Sequence, residues 1–143
     1  MWHFNGNPIS YLENLPNHES AAGFVYMITN KVTGKIYIGK KSLFSVRKKR
    51  IGKREKAETK TRKTFKQEIK ESDWKTYYGS SEELLKDIET HGQENFHREI
   101  LEVCYSKKYL GYCELAHQIK YDVLRKDSYN GNILGRFWRK DMQ

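Results

Sequence analysis

Residues 23–47 read GFVYMITNKVTGKIYIGKKSLFSVR, and two short runs rich in β-branched and aromatic residues lie within them. The first run covers residues 24–29 and the second covers residues 35–39, with a polar segment between them that ends in Thr33-Gly34. Runs of this length around a polar connection that contains glycine are typical of a β-hairpin with a loop longer than two residues. The sequence therefore predicts an antiparallel hairpin in this part of the chain.

Each predicted strand of the hairpin carries a tyrosine, Tyr26 in the first and Tyr37 in the second. If these residues stand opposite each other, both phenols leave the same face of the ribbon, because directly paired residues share a face. Arg47 follows ten residues after Tyr37, within a predicted helix that begins at an N-cap Ser42 and ends at about Arg50. Two phenols beside a guanidinium would suit a phosphate, and an aromatic hairpin that only packs is the alternative.

The rest of the chain alternates between helix and strand patterns. Ser80 and Glu83 form a capping-box pattern at the start of a helix that His91-Gly92 would close. The other predicted elements are a strand over 95–103, a helix from its N-cap Ser106 to about Arg125, a turn over 127–132 and a return to the sheet edge at Ile133-Leu134. This order predicts an α+β fold, with a small three-stranded antiparallel sheet flanked by helices.

The length of 143 residues fits one domain with its own core. We expect a loosely packed extension over 1–22, a domain over 23–134 with a basic insertion at about 51–73, and a tail over 135–143.

No apolar run approaches the roughly 20 residues of a membrane span, and the N-terminus lacks a signal-peptide pattern. Cys104 and Cys113 have neither a CxxC spacing nor enough partners for a zinc site, so we expect buried thiols in a reducing, cytoplasmic compartment.

The positive charge is concentrated in one quarter of the chain. Residues 40–76 hold 15 Lys and Arg against 5 Asp and Glu, which accounts for the whole net charge of +9. Such a block attracts a polyanion, and a solvated excursion without a partner is the alternative. Residues 52–70 contain too few apolar side chains to bury a face, so they predict a mobile arm or a frayed helix.

Several positions together resemble the GIY-YIG nuclease family. Phe24-Val25-Tyr26 and Tyr37-Ile38-Gly39 are similar to the family's two triplets, and Arg47, Glu114 and Asn130 follow in the family's order. For a lone glutamate on a helix an exposed position would be the simpler interpretation, but the order of the five positions favours the family. The resemblance extends over roughly residues 23–133.

The resemblance implies a metal-dependent endonuclease that hydrolyses DNA phosphodiester bonds. Glu114 would hold one divalent cation, Mg²⁺ or Mn²⁺, and Arg47 would bind the scissile phosphate. Tyr26 would help to deprotonate the attacking water, with support from Tyr37. Asn130 would orient the glutamate or the backbone of the site.

The chain departs from the family pattern in one respect: many family members have a histidine in this part of the chain, and here no histidine lies between residues 47 and 88. Tyr77, Tyr78 or a lysine of the arm would have to replace it. His117 lies one helical turn after the glutamate and could approach the metal, although a histidine on a helix face is the simpler interpretation. Asn132 is an alternative to Asn130 as the residue that orients the glutamate or the backbone of the site.

The basic insertion suits docking along the backbone of double-stranded DNA. The whole arrangement, a GIY-YIG core with a lysine-rich insertion that ends in Trp-Lys-x-Tyr-Tyr-Gly-Ser, resembles small free-standing bacteriophage endonucleases, including homing-type enzymes, which would place the protein in the host cytoplasm. The alternatives are a non-catalytic nucleic-acid-binding module with a degenerate nuclease fold and an RNA-processing nuclease. The predicted nucleic-acid contacts are Lys40, Lys41, Lys48, Lys49, Arg50, Lys53, Arg54, Lys60, Arg62, Lys63, Trp74 and Tyr78.

Overall fold

The computed structural model describes residues 1–60 and 62–142, and it confirms the α+β class. The strands are β1 (Trp2–Phe4), β2 (Asn7–Ile9), β3 (Gly23–Asn30), β4 (Ile36–Ser42), β5 (Phe44–Arg50), β6 (Phe65–Glu71), β7 (Phe96–Cys104), β8 (Asn132–Ile133) and β9 (Phe137–Trp138). The α-helices are α1 (Lys53–Thr59), α2 (Glu82–His91) and α3 (Lys107–Lys120). The main sheet has the strand order β2-β1-β7-β3-β4, so β4 lies at its edge.

The predicted hairpin is confirmed as β3 and β4, with a register two residues away from the one expected. Tyr26 pairs with Gly39, and Tyr37 pairs with Ile28. Because the offset is an even number of residues, both tyrosines still lie on one face of the ribbon. Their ring centroids are 6.1 Å apart.

The N-terminal segment extends the sheet, so the expected three strands become five. β1 pairs in parallel with β7 and antiparallel with β2. Trp2 is 1% exposed, and its indole Nε1 donates a hydrogen bond of 2.6 Å to the Trp74 carbonyl oxygen. The expectation of loose packing is therefore wrong, because strands of three residues are too short to show an alternating pattern in the sequence.

Side chains alternate along β3 between two buried clusters. Phe24, Tyr26 and Ile28 pack on the side of α2. Val25 packs on the other side, beside Leu110 of α3. The two helices therefore cover opposite faces of the sheet, and the edge strand β4 can present side chains to both sides.

The helix predicted over residues 42–50 is wrong, because β5 occupies most of this range and pairs antiparallel with β6 in a separate two-stranded sheet. Val46 stands opposite Ile69, and Arg47 stands opposite Glu68. An apolar pair and a pair of opposite charges both favour strand pairing. The predicted arm is therefore a β-hairpin that carries α1 in its connection, which we call the basic hairpin (residues 44–71).

The later helices and the strand between them are confirmed, with shifted ends. The N-cap of α2 is Ser81 rather than Ser80, and Ser106 is the N-cap of α3 as predicted. α3 ends at Lys120 instead of continuing to about residue 125. β8 pairs with β9 in a small separate sheet, so the expected return to the main sheet is wrong.

Candidate active site

A cleft of about 750 Å³ opens at the edge strand β4, next to the start of α2, the middle of α3 and the loop that contains β8. Three of the predicted site residues line it, namely Tyr37, Glu114 and Asn130. The other lining residues are Ser80, Ser81, Glu82, Gln118, Tyr129, Gly131, Asn132, Leu134, Gly135 and Trp138. A strand, a helix and a loop thus place a phenol, a carboxylate and an amide in one concavity, as a catalytic site requires.

Tyr37 presents its phenol to the cleft from β4. Its hydroxyl lies 3.1 Å from the Ser80 hydroxyl. Burial raises the pKa of Tyr37 above its usual value, and the hydrogen bond with Ser80 partly offsets this effect. The phenol is therefore protonated at neutral pH and can donate a hydrogen bond into the cleft.

Tyr26 does not line the cleft, because its side chain is only 1% exposed. Burial is the main reason that the pKa of Tyr26 lies well above its usual value, and the neighbouring phenols of Tyr37 and Tyr77 raise it further. A Cβ at Gly39 would come within 2.5 Å of the Tyr26 hydroxyl and 3.1 Å of the Tyr37 ring. The glycine of the second triplet therefore lets β4 pass over two aromatic rings.

Glu114 supplies the carboxylate of the cleft from the middle of α3, where it is half-buried. Burial raises the pKa of this carboxyl, whereas the Lys40 ammonium and the Lys40 backbone N–H act in the opposite direction. A carboxylate oxygen that opens into a polar cleft is the kind of ligand that Mg²⁺ combines with water and phosphate oxygens. The donor chemistry at Glu114 therefore fits a hard divalent cation.

Asn130 joins the C-terminal loop to the edge strand. Its side-chain oxygen accepts a hydrogen bond of 2.9 Å from the Ile38 backbone N–H, and its amide nitrogen donates one of 2.8 Å to the Ile38 carbonyl. Gln118 donates a further bond of 3.1 Å to the same carbonyl. The two amides hold the backbone of β4 between Tyr37 and Gly39.

Arg47 does not line the cleft. It lies on β5 of the basic hairpin, with 71% of its side chain exposed, and its Nε donates to the Glu68 carboxylate at 3.2 Å. Lys40, which follows the second triplet directly, is a cation whose charge lowers the pKa of Glu114.

The predicted nucleic-acid contacts differ in exposure, and an exposed cation can also have a partner, as Arg54 has in an ion pair of 3.3 Å with Glu58. Trp74 is fully buried, so the prediction that its ring contacts nucleic acid is wrong. One face of the Tyr78 ring is covered by the Arg98 guanidinium, 4.1 Å from the ring centroid. Lys41 forms an ion pair of 2.5 Å with Asp73. The exposed cations are Lys40, Lys48, Lys49, Arg50, Lys53, Arg54, Lys60, Arg62 and Lys63.

Of the residues considered in place of the absent histidine, Tyr77 contacts the buried phenol. Its ring packs edge-on against Tyr26, with centroids 6.0 Å apart. His117 instead lies with its Nε2 atom 3.0 Å from a Glu102 carboxylate oxygen.

Several residues that line the cleft carry no clear signal in the sequence. The capping-box pattern points to Ser80 as the helix cap, whereas Ser81 takes that position and leaves the Ser80 hydroxyl to Tyr37. Gln118 lies four residues after Glu114, and this helical spacing could have indicated it. Trp138 comes from the C-terminal tail, where no motif points to the site.

Comparison with known proteins gives a family match. The family model described as "Putative endonuclease segE, GIY-YIG domain" matches residues 2–134. No curated protein and no solved structure gave a match. Among the described residues, no helix is both long enough and apolar enough to cross a membrane. The matched range runs from β1 to Leu134 in the cleft-lining loop, and the chain therefore belongs to the GIY-YIG nuclease family.

Proposed function

We propose that the protein is a metal-dependent endonuclease that hydrolyses phosphodiester bonds of double-stranded DNA in the cleft at β4. Membership of the family indicates nuclease activity on nucleic acid. The single observation that supports the finer assignment is the convergence of Tyr37, Glu114 and Asn130 from three separate elements.

Glu114 would hold the divalent cation, either Mg²⁺ or Mn²⁺. When bound, the ion stabilises the negative charge that develops on the phosphate. Lys40 counteracts the effect of burial on the carboxyl pKa and so favours the ionised form that binds a cation. Asn130 and Gln118 fix the backbone of β4, so that Tyr37 keeps its position relative to Glu114.

Tyr37 is the phenol that reaches the substrate, and we assign to it a hydrogen bond with the attacking water or a phosphate oxygen. Removal of a proton by Tyr26 would need positive charge nearby, because burial opposes its phenolate. Lys41 supplies positive charge on the Tyr26 side of the sheet, since its ammonium lies 4.0 Å from the centroid of the Tyr77 ring. Tyr77 in turn packs on Tyr26.

We assign the scissile phosphate to Lys40, because Lys40 is the cation beside Glu114. Arg47 would contact the DNA backbone away from the reacting bond, since it belongs to the basic hairpin. This hairpin contains 12 Lys and Arg against 4 Glu. A net charge of that size on an exposed ribbon supports docking along phosphates.

The test is nicking of supercoiled plasmid DNA in Mg²⁺ by the parent protein and by Glu114→Gln. We expect the substitution to slow nicking by about a hundredfold or more, as loss of a group that stabilises transition-state charge does. Glu82→Gln is the matched control, because Glu82 is an exposed carboxylate of the same cleft and should leave the rate nearly unchanged. Equal nicking by the parent and Glu114→Gln would contradict the assignment.

A non-catalytic nucleic-acid-binding module is the second candidate. Two observations favour it: Arg47 lies outside the cleft, and no histidine is among the described residues that line the cleft. Binding of DNA without cleavage in Mg²⁺ and in Mn²⁺, over a range of pH, would support this candidate. An RNA duplex in the same assay tests the RNA-processing alternative, because phosphate contacts alone do not select the sugar.

A further inference from the structure

A second cluster of polar side chains lies between β7 and α3. Glu102 and Cys104 come from β7, and Cys113 and His117 come from α3. A carboxylate oxygen of Glu102 and the two sulfur atoms all lie within 4.8 Å of one another. None of the four residues lines the cleft of Glu114.

The fold explains how this cluster forms from residues that are spread along the sequence. Residues two apart on a strand share a face, which places Glu102 beside Cys104. Residues four apart on a helix also share a face, which places Cys113 beside His117. Two cysteines alone lack the partners that a zinc site needs, and packing of α3 on β7 supplies these partners.

We propose that Glu102, Cys104, Cys113 and His117 bind one Zn²⁺ ion. Two thiolates, an imidazole and a carboxylate are all established zinc ligands, and a thiolate pair selects zinc over the hard cation expected at Glu114. In a tetrahedral site the ligand atoms are about 3.3–3.8 Å apart, given bond lengths of about 2.0–2.3 Å. Cys113 Sγ lies 3.4 Å from Glu102 Oε2 and His117 Nε2 lies 3.0 Å from Glu102 Oε1, so the carboxylate and the two thiols already lie close together and the imidazole would have to move toward the sulfur atoms.

The surroundings of the cluster also suit a metal. The Tyr109 hydroxyl donates a hydrogen bond of 2.9 Å to Glu102 Oε2 and would orient this carboxylate as an outer partner. On binding, each thiol gives its proton to solvent, and the two thiolates and the carboxylate face the dication.

A zinc ion here would fix the position of α3, the helix that carries Glu114. It would tie α3 to β7 through Cys113, and Glu114 follows Cys113 directly in the sequence. The site would therefore be structural, and separate from the exchangeable cation of the cleft.

The test begins with the full chain, stripped with a chelator under reducing conditions, loaded with Zn²⁺ and freed of excess ion by gel filtration. We expect one zinc ion per chain and protection of both thiols from a thiol-reactive dye. Loading with Co²⁺ instead should give the visible bands of a tetrahedral thiolate site and a sulfur-to-cobalt charge-transfer band. A parent protein that retains no zinc and shows no cobalt bands would overturn the proposal.

Variants locate the ion. Cys113→Ser and His117→Gln should each weaken zinc binding by at least about tenfold. His97→Gln is the matched control, since His97 is a half-buried histidine on β7 whose ring packs at a tilt against His3, and this variant should bind zinc like the parent. Circular dichroism of the metal-free forms distinguishes removal of a ligand from unfolding, and Cys104→Ser is avoided because Cys104 is fully buried. Zinc affinity equal to the parent's in both folded variants would also overturn the proposal.

Discussion

The pKa of Glu114 sets the acid limit of the proposed reaction. The carboxyl must be ionised to hold a cation, and burial raises its pKa above that of an ordinary glutamate. Cleavage should therefore fall as the pH drops through this raised pKa, at a higher pH than for an exposed glutamate. Because Lys40 lowers the pKa, Lys40→Met should move the acid limb of the pH–rate profile to higher pH.

This prediction is checked by measuring kcat/KM for cleavage against pH. If Lys40 binds the phosphate, the maximal kcat/KM will also fall in Lys40→Met. The pH at the midpoint of the acid limb is therefore compared separately from the maximal value. Lys48→Met removes an exposed charge of the basic hairpin and should leave the limb in place. A limb that stays in place or moves to lower pH in Lys40→Met would contradict the electrostatic pairing with Glu114.

Single site residues were predictable where a motif or a helical spacing pointed to them. Tyr37, Glu114 and Asn130 followed from the resemblance and meet in one cleft. The contribution of Ser80 depends on which of two adjacent serines caps α2, and a cap position is ambiguous by one residue in the sequence. The location of Arg47 was not predictable in the same way, because it depends on the element that contains this residue, which is a strand and not the predicted helix.

Elements with strong local signals were predictable, and elements that depend on distant partners were not. The hairpin of β3 and β4 and the helices α2 and α3 carry their own periodicity, turns and caps. β5 contains four consecutive cations at residues 47–50, which hide its alternation, and its partner β6 follows only after α1. A short strand such as β1 likewise depends on pairing with β7, which lies far away in the sequence.

The basic hairpin should dominate the salt dependence of DNA binding. Reversing Lys48, Lys49, Lys53, Lys60 and Arg62 to glutamate should weaken binding to all sequences alike. It should also flatten the salt slope by about 0.9 log units per tenfold change in salt for each phosphate that the hairpin no longer neutralises. Filter binding or fluorescence anisotropy over a series of salt concentrations measures both effects.

A control variant with the same change in net charge distinguishes binding of DNA to the basic hairpin from a general attraction of DNA to a positively charged protein. Lys86, Lys107, Lys108, Lys120 and Lys126 are exposed lysines outside the basic hairpin, and their reversal to glutamate changes the net charge by the same amount. The salt slope of the hairpin variant should flatten much more than that of this control. Equal flattening in both variants would show that the hairpin is only a charged surface.

At the scale of the whole molecule, the strand β4 joins the basic hairpin to the cleft. β4 provides Tyr37 to the cleft and Lys40 near Glu114, and it leads into β5 after the single residue Leu43, which is fully buried. The Ser72 backbone N–H donates a hydrogen bond of 2.8 Å to the Leu43 carbonyl, so both ends of the basic hairpin are held at this point. DNA that lies along the hairpin would therefore be held at a fixed connection to the edge of the cleft.

The central claim is that the scissile phosphate lies in the cleft at β4. A crystal structure of the parent protein with a DNA duplex and Ca²⁺, an oxygen-binding cation in place of Mg²⁺, tests it most directly. We predict a phosphate within about 3.5 Å of Lys40 Nζ and the Tyr37 hydroxyl, with the cation on Glu114. A duplex that lies only on the basic hairpin, with Glu114 free of both cation and phosphate, would contradict this account.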